Sequence, residues 1–193
     1  MKAPKNESKQ FEPVPEGTQL GIIIGLYNLG RQSHTFQGEE KLRDEFRVTF
    51  ELPKVTREFD GETKPMVISK SGSYSIHPKS FLRKVIESAL GHLKDSEAEA
   101  LDMEKMLGKP VLLNIKHFEK NDGGKAAYIE SVTPIVDGME IPKQFNKNTV
   151  FDIADYSTDE YDELPQFLKD KVDAALALKE KLYSSNVDDS NPF

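Results

Sequence analysis

The stretch His77-Pro78-Lys79-Ser80-Phe81-Leu82-Arg83-Lys84-Val85-Ile86-Glu87-Ser88-Ala89-Leu90-Gly91 decides the fold, because the period of the chain changes there. Leu82, Val85, Ile86, Ala89 and Leu90 recur at helical spacing, proline suits the first helical position, and Gly91 supplies a stop. Upstream the period is two. Leu20, Ile22, Ile24 and Leu26 alternate with Gln19, Gly21, Ile23, Gly25 and Tyr27, and the two glycines mark a bend or bulge in a long first strand. A polar connection, Gly30 to Gly38, leads to a second strand in which Phe46, Val48, Phe50 and Leu52 face one way and Arg47, Thr49 and Glu51 the other. The tip Glu58-Phe59-Asp60-Gly61-Glu62-Thr63-Lys64 turns the chain into a third strand running from Met66 through Ile68 toward Tyr74 and Ile76, with a bulge expected at Gly72.

Downstream of the helix, Ser96 and Glu99 have capping-box spacing for a second short helix ending near Leu107-Gly108. Val111, Leu113 and Ile115 then alternate, Asn121-Asp122-Gly123-Gly124 turns the chain, and a last strand runs from Ala126 to about Val132. Three strands, a helix and two strands is the order of the five-stranded OB-fold, a barrel whose strands 2 and 3 and loops 1-2 and 4-5 bind nucleic acid or sugars. The sequence thus predicts a mainly β chain with this division: 1–16 a flexible N-terminal arm, 17–134 an OB-fold nucleic-acid-binding domain, 135–183 a connector and C-terminal helix, and 184–193 an acidic C-terminal tip. The last helix is expected from Pro165 through Leu168, Val172, Ala175, Leu176 and Leu182, packed on the body or on a second copy of the chain.

Charge is unevenly placed. The net charge of −7 argues against phosphate binding until it is mapped: residues 1–134 carry 20 Lys+Arg against 20 Asp+Glu, and residues 135–193 carry 6 against 13. A neutral body can hold a basic groove that an acidic tail occupies in the absence of a polyanion. The absence of cysteine excludes disulfides and thiol chemistry, and suits a reducing cytoplasm. The longest apolar run, Ile22 to Ile24, is too short to span a bilayer, and the N-terminus lacks the apolar core of a signal peptide, so a soluble cytoplasmic protein is expected.

Binding single strands without sequence preference requires cations along the phosphates and flat side chains under the bases. The candidate DNA-binding residues are Arg31, Phe36, Lys41 and Arg43 in loop 1-2, Arg47 on strand 2, Phe59 and Lys64 at the 2-3 tip, Lys70 and Tyr74 on strand 3, and Lys116, Phe118, Lys120 and Lys125 around loop 4-5. Asp188, Asp189, Pro192 and Phe193 form a second candidate contact: a terminal ring with a free carboxylate is a peg for a partner's pocket, and the aspartates attract at long range.

Enzyme chemistry finds little support. Glu62-Thr63-Lys64 has the Glu-x-Lys of metal-dependent nucleases, but Asp60-Gly61 is ordinary turn chemistry and Asp60 is too close to be the separate metal ligand. His34, His77, His92 and His117 lack metal spacing, and no phosphate-cradling glycine loop or nucleophile elbow is present. No catalytic residue, metal or cofactor is therefore expected.

The end Asp188-Asp189-Ser190-Asn191-Pro192-Phe193 resembles the acidic tip of single-stranded DNA-binding proteins. Phe11-Glu12-Pro13-Val14-Pro15-Glu16-Gly17-Thr18, Val67-Ile68-Ser69-Lys70, Leu107-Gly108-Lys109-Pro110 and Leu164-Pro165 resemble the phage-encoded OB-fold group of those proteins. The resemblance implies a chain that coats and protects single-stranded DNA during phage-type replication and recombination in the host cytoplasm, its tip recruiting replication or recombination enzymes. The alternative is an acidic protein-interaction adaptor or DNA mimic in which the tail, not the barrel, binds the target.

Overall fold

The computed structural model describes residues 12–188 and is mainly β: a curled antiparallel sheet with a few helices. In order the elements are β1 (Gly17–Phe36), β2 (Glu39–Phe59), β3 (Glu62–Ser73), α1 (Phe81–Leu90), α2 (Asp95–Glu99), a 3-10 helix (Met103–Met106), β4 (Pro110–Glu119), β5 (Lys125–Thr133), β6 (Thr149–Asp152), α3 (Thr158–Asp162) and α4 (Gln166–Asp188). The sheet order is β3-β2-β1-β4-β5, and β6 pairs parallel to β1. α1 lies between β3 and β4 in the chain, as the change of period predicts. Its first residue is Phe81 and not Pro78, the proline expected at the first helical position: the Ser80 hydroxyl caps the helix by accepting from the Arg83 amide at 3.1 Å, and Gly91 ends it at φ 88°. The cap of α2 is Lys94, two residues before the Ser96 read from sequence: its amide donates to the Glu97 carboxylate at 2.8 Å, and α2 stops at Glu99, with the separate 3-10 helix later in the stretch expected to be helical up to Leu107-Gly108.

The concave face holds the core: Ile23, Leu26, Phe46, Val48, Phe50, Leu52, Ile68, Val111, Leu113, Ile115 and Ile129, closed by Leu82, Val85 and Ile86 of α1. β2 carries the expected alternation. β1 does not keep one phase, because the register with β2 shifts between Ile23 and Gly25, so that Ile23 and Leu26 both enter the concave core. No register shift occurs at Gly72; the shift in the β2–β3 pair lies between Leu52 and Thr56. Gly72 is instead a packing position, where a Cβ would meet the Phe81 side chain at 3.4 Å.

Two segments read from sequence as connections are built into the sheet. The polar run after Gly30 continues β1 to Phe36 and returns at once as β2 through Gln37 and Gly38, both at positive φ. Its side chains are polar on both faces because the hairpin projects beyond the core, which removes the alternation that marks a strand. Residues 135–183 contain β6, whose four residues are too few to show a period. β6 brings Phe151 beside Leu29, Leu164, Leu168 and Val172 in a second core that fixes α4 to the convex side of β1. At the other end, residues 12–16 lie against the body rather than forming part of a free arm. Val14 is buried, its carbonyl lies 2.7 Å from His117 Nε2, and the Glu12 carbonyl accepts from Arg57.

Candidate nucleic-acid interface

Strand register sorts the candidate residues. On the convex face, β2 presents Glu45, Arg47, Thr49 and Glu51 opposite Ser73, Ser71, Ser69 and Val67 of β3. Val48, Phe50 and Leu52 on the concave side pair with Lys70, Ile68 and Met66. Lys70 therefore points inward and is not on the outer face expected for a phosphate contact. Its ammonium crosses to β5, donating to the Ile129 carbonyl at 2.6 Å and lying 4.9 Å from the centre of the Phe81 ring. Burial and the nearby Lys84 push its pKa down, against the pull of Glu130. Tyr74 shares that inward phase: its ring stacks on Phe46 with centroids 5.0 Å apart. Together they floor an open bowl of about 370 Å³ rimmed by Asp102, Glu104, Asp152 and Glu160. Five carboxylates in its lining, Asp102, Glu104, Asp152, Asp155 and Glu160, with no cation among them, make this bowl unsuited to a phosphate chain.

The remaining candidates fall into separate groups. The β1–β2 hairpin leaves the sheet where β1 ends and carries Arg31, Lys41 and Arg43; Phe36 lies in its last β1 pair, with Glu39. Arg31 is engaged by Asp44 at 3.2 Å on one side of the hairpin, while Lys41 and Arg43 share the side of His34 and Glu45. The β2–β3 and β4–β5 hairpins leave where β1 begins. The β2–β3 hairpin places Phe59, Arg57 and Lys64 on one side, with Lys64 2.7 Å from Glu62. The β4–β5 hairpin presents Lys116 and Phe118 outward, opposite Tyr128 and Ala126, with Lys120 and Lys125 at its turn. Phe118 is 49% and Tyr128 39% exposed, with ring centroids 6.0 Å apart and planes at 59°. Lys116 is tied to Glu130, whose hydrogen bond raises its pKa. Tyr128 escaped the sequence reading, although its register opposite Lys116 follows from the phase of the two strands.

Arg47 lies midway along the convex face, half-buried, its guanidinium 5.2 Å from the centre of the Phe167 ring and 3.4 Å from the Ser71 hydroxyl. Two carboxylates flank it and both are buried. Glu51 accepts from the Phe145 amide at 2.9 Å and from the Asn146 amide and side chain at 2.7 Å each. Glu45, 1% exposed, accepts from Lys171 of α4 at 2.7 Å and lies 3.3 Å from His34. Burial and Arg43 push the His34 imidazole below its ordinary value, against the pull of Glu45. For Glu45, burial pushes the carboxyl up, but Lys171, Ser71 and His34 outweigh it, and the net shift is down.

A carboxylate whose folded pKa is depressed stabilises the fold above its unfolded value and loses that contribution as pH falls through the folded one. The Glu45 contribution should therefore be complete above the ordinary value of 4.5 and be lost progressively as pH falls from there through the lower folded value. Acid unfolding followed by circular dichroism should show a shallower loss in Glu45→Gln than in the parent; equal slopes would remove Glu45 from the acid limb.

Among the described residues, no group of three or more His, Asp or Glu side chains is placed to hold a metal ion, and no helix is long and apolar enough to cross a membrane. Asp188 is the last residue of α4; Asp189, Pro192 and Phe193 lie outside the described residues. No family model matches the chain, and no curated protein matches it in sequence.

Proposed function

We propose that the chain is a single-stranded DNA-binding protein built on an OB-type barrel, coating single strands during phage-type replication and recombination and recruiting partner enzymes through its C-terminal tip. The observation that carries the reading is the β4–β5 hairpin. Phe118 and Tyr128 stand open to solvent side by side, and Lys120 and Lys125 lie at the adjoining turn, which is the combination of flat rings and cations that an unpaired strand requires. The sheet order and the helix between β3 and β4 support the OB-type reading, since that barrel has β1 between β2 and β4, with β3 and β5 meeting at the remaining seam. Lys70 spans this seam.

The test is a salt titration with a labelled oligothymidine and the matching duplex. Log affinity for the single strand should fall linearly with log salt, by about 0.7 per phosphate neutralised. Lys120→Gln and Lys125→Gln should each reduce the slope by about that amount. A salt-independent affinity, or equal preference for the duplex, would refute the proposal. The adaptor or DNA-mimic reading is favoured by the acid-rimmed bowl at Tyr74 and by the net charge of −7. It expects no oligonucleotide shift at any salt and competition with DNA for a DNA-binding protein.

A further inference from the structure

The convex face of β2 and β3 carries a second arrangement of rings and cations, supplied by residues outside the barrel strands. Phe145 lies in the irregular segment after Pro142, just before a bend at Asn146. Its backbone is fixed to the sheet because the buried Glu51 takes its amide and both donors of Asn146. Asn146 is turned to the sheet, while Lys143, Phe145 and Lys147 are all exposed, Phe145 by 59%. Neither lysine has an ion pair or hydrogen bond among the described residues. Four residues back along β2 from Glu51, Phe167 of α4 covers Arg47 and is itself 51% exposed. At about 3.4 Å per residue Arg47 and Glu51, which fasten the two segments, lie about 14 Å apart along β2, with Thr49 and Ser69 between them, their hydroxyls 2.9 Å apart.

We propose that Lys143, Phe145 and Lys147, with Phe167 over Arg47, form a second contact surface for single-stranded nucleic acid on the convex face of β2 and β3. The deepened site rests on the single-strand reading above. The charge near the connector favours this occupant: Glu45 is paired with Lys171, Glu51 is buried under the connector's amides, and Lys143 and Lys147 stand exposed while Arg47 is half-buried, although the exposed Glu163, before α4, and Asp170, on it, flank Phe167 in the chain. Rings alternate with cations, as stacking bases alternate with phosphates. The C-terminal third is then part of the binding surface and not a spacer before the tip.

The full chain and a labelled oligothymidine test it. Phe145→Ala and Phe167→Ala should each weaken binding about tenfold. The double variant Lys143→Gln/Lys147→Gln should reduce the log–log salt slope by about 1.4. All three changes are at exposed side chains, so melting temperatures should stay close to the parent's. Photocrosslinking of the bound oligonucleotide should label the segment 143–147, a readout that does not depend on any variant folding. Phe118→Ala separates the two ideas. If the parent binds and Phe118→Ala weakens it, while Phe145→Ala, the lysine pair and the crosslinks at 143–147 show nothing, the second surface is wrong and the first stands. If the parent does not bind single strands, both fall.

Discussion

Replacing Phe118 and Tyr128 together by alanine should lower the affinity for single-stranded DNA by about 2 to 6 kcal/mol, because each ring offers a face to one base at about 1 to 3 kcal/mol. The rings are half-open and touch each other at 6.0 Å, so their removal exposes little core. Thermal stability should therefore change by well under the binding loss. The single variants test coupling: if a base slides between the rings, each single change should cost nearly as much as both; if each ring takes its own base, the costs should add. Fluorescence anisotropy at fixed salt measures the affinity and a melting curve measures the fold. Loss of stability equal to the loss of affinity would make the two rings structural and remove the observation on which the function rests.

The second large effect concerns Glu51. Alanine at this position leaves the amides of Phe145 and Asn146 and the Asn146 side chain without their acceptor. Unmade bonds to a buried charged group dominate such a change, and a loss of about 3 kcal/mol is expected. Glu51→Gln keeps an acceptor of the same shape and should cost about 1 kcal/mol. Urea unfolding should show the midpoint falling in that order with an unchanged slope, since the exposed area on unfolding is the same. Equal midpoints for parent and alanine variant would mean that the segment is held to the sheet by something other than this carboxylate.

These two tests fall on residues of different visibility. Phe118 and the cations around it were legible because β4 alternates cleanly from Val111 to Ile115, and extending that phase puts Lys116 and Phe118 outside. The helix at Phe81–Leu90 was legible for a similar reason, with an apolar stripe at helical spacing and a terminal glycine, although Pro78 points to an earlier start and the serine cap escapes the reading. Lys70 was not. The phase of Met66 and Ile68, carried on through Ser69, Lys70, Ser71 and Gly72, puts Lys70 inward, but a lysine in a polar run is assigned to water by default and that default overrode the phase. Glu45 and Glu51 misled in the opposite sense. They hold the polar phase of β2, which reads as a solvated face, yet the elements that bury them come from more than 90 residues later in the chain. Sequence periodicity records the face a strand turns to its own sheet, and is silent about a cover that arrives from a distant segment. Phe145 and Phe167 were hidden by that same limit, because their exposure is set by where the connector and α4 are fastened.

The inward Lys70 has a mechanical meaning. β1 is held along its length by β2, β4 and β6, while β3 and β5 are the two free margins of the sheet and share no ladder. Among the described residues, the Lys70-to-Ile129 carbonyl bond, the packing of α1 and the shared core of Ile68 with Ile129 hold those margins together. The curled sheet thus has a clasp rather than a weld, and parting it along this line leaves every strand pair intact. Widening or narrowing at that clasp changes the curvature of the outer wall without unzipping it. Such a change would leave the ladders that β1 makes with β2, β4 and β6 as they are.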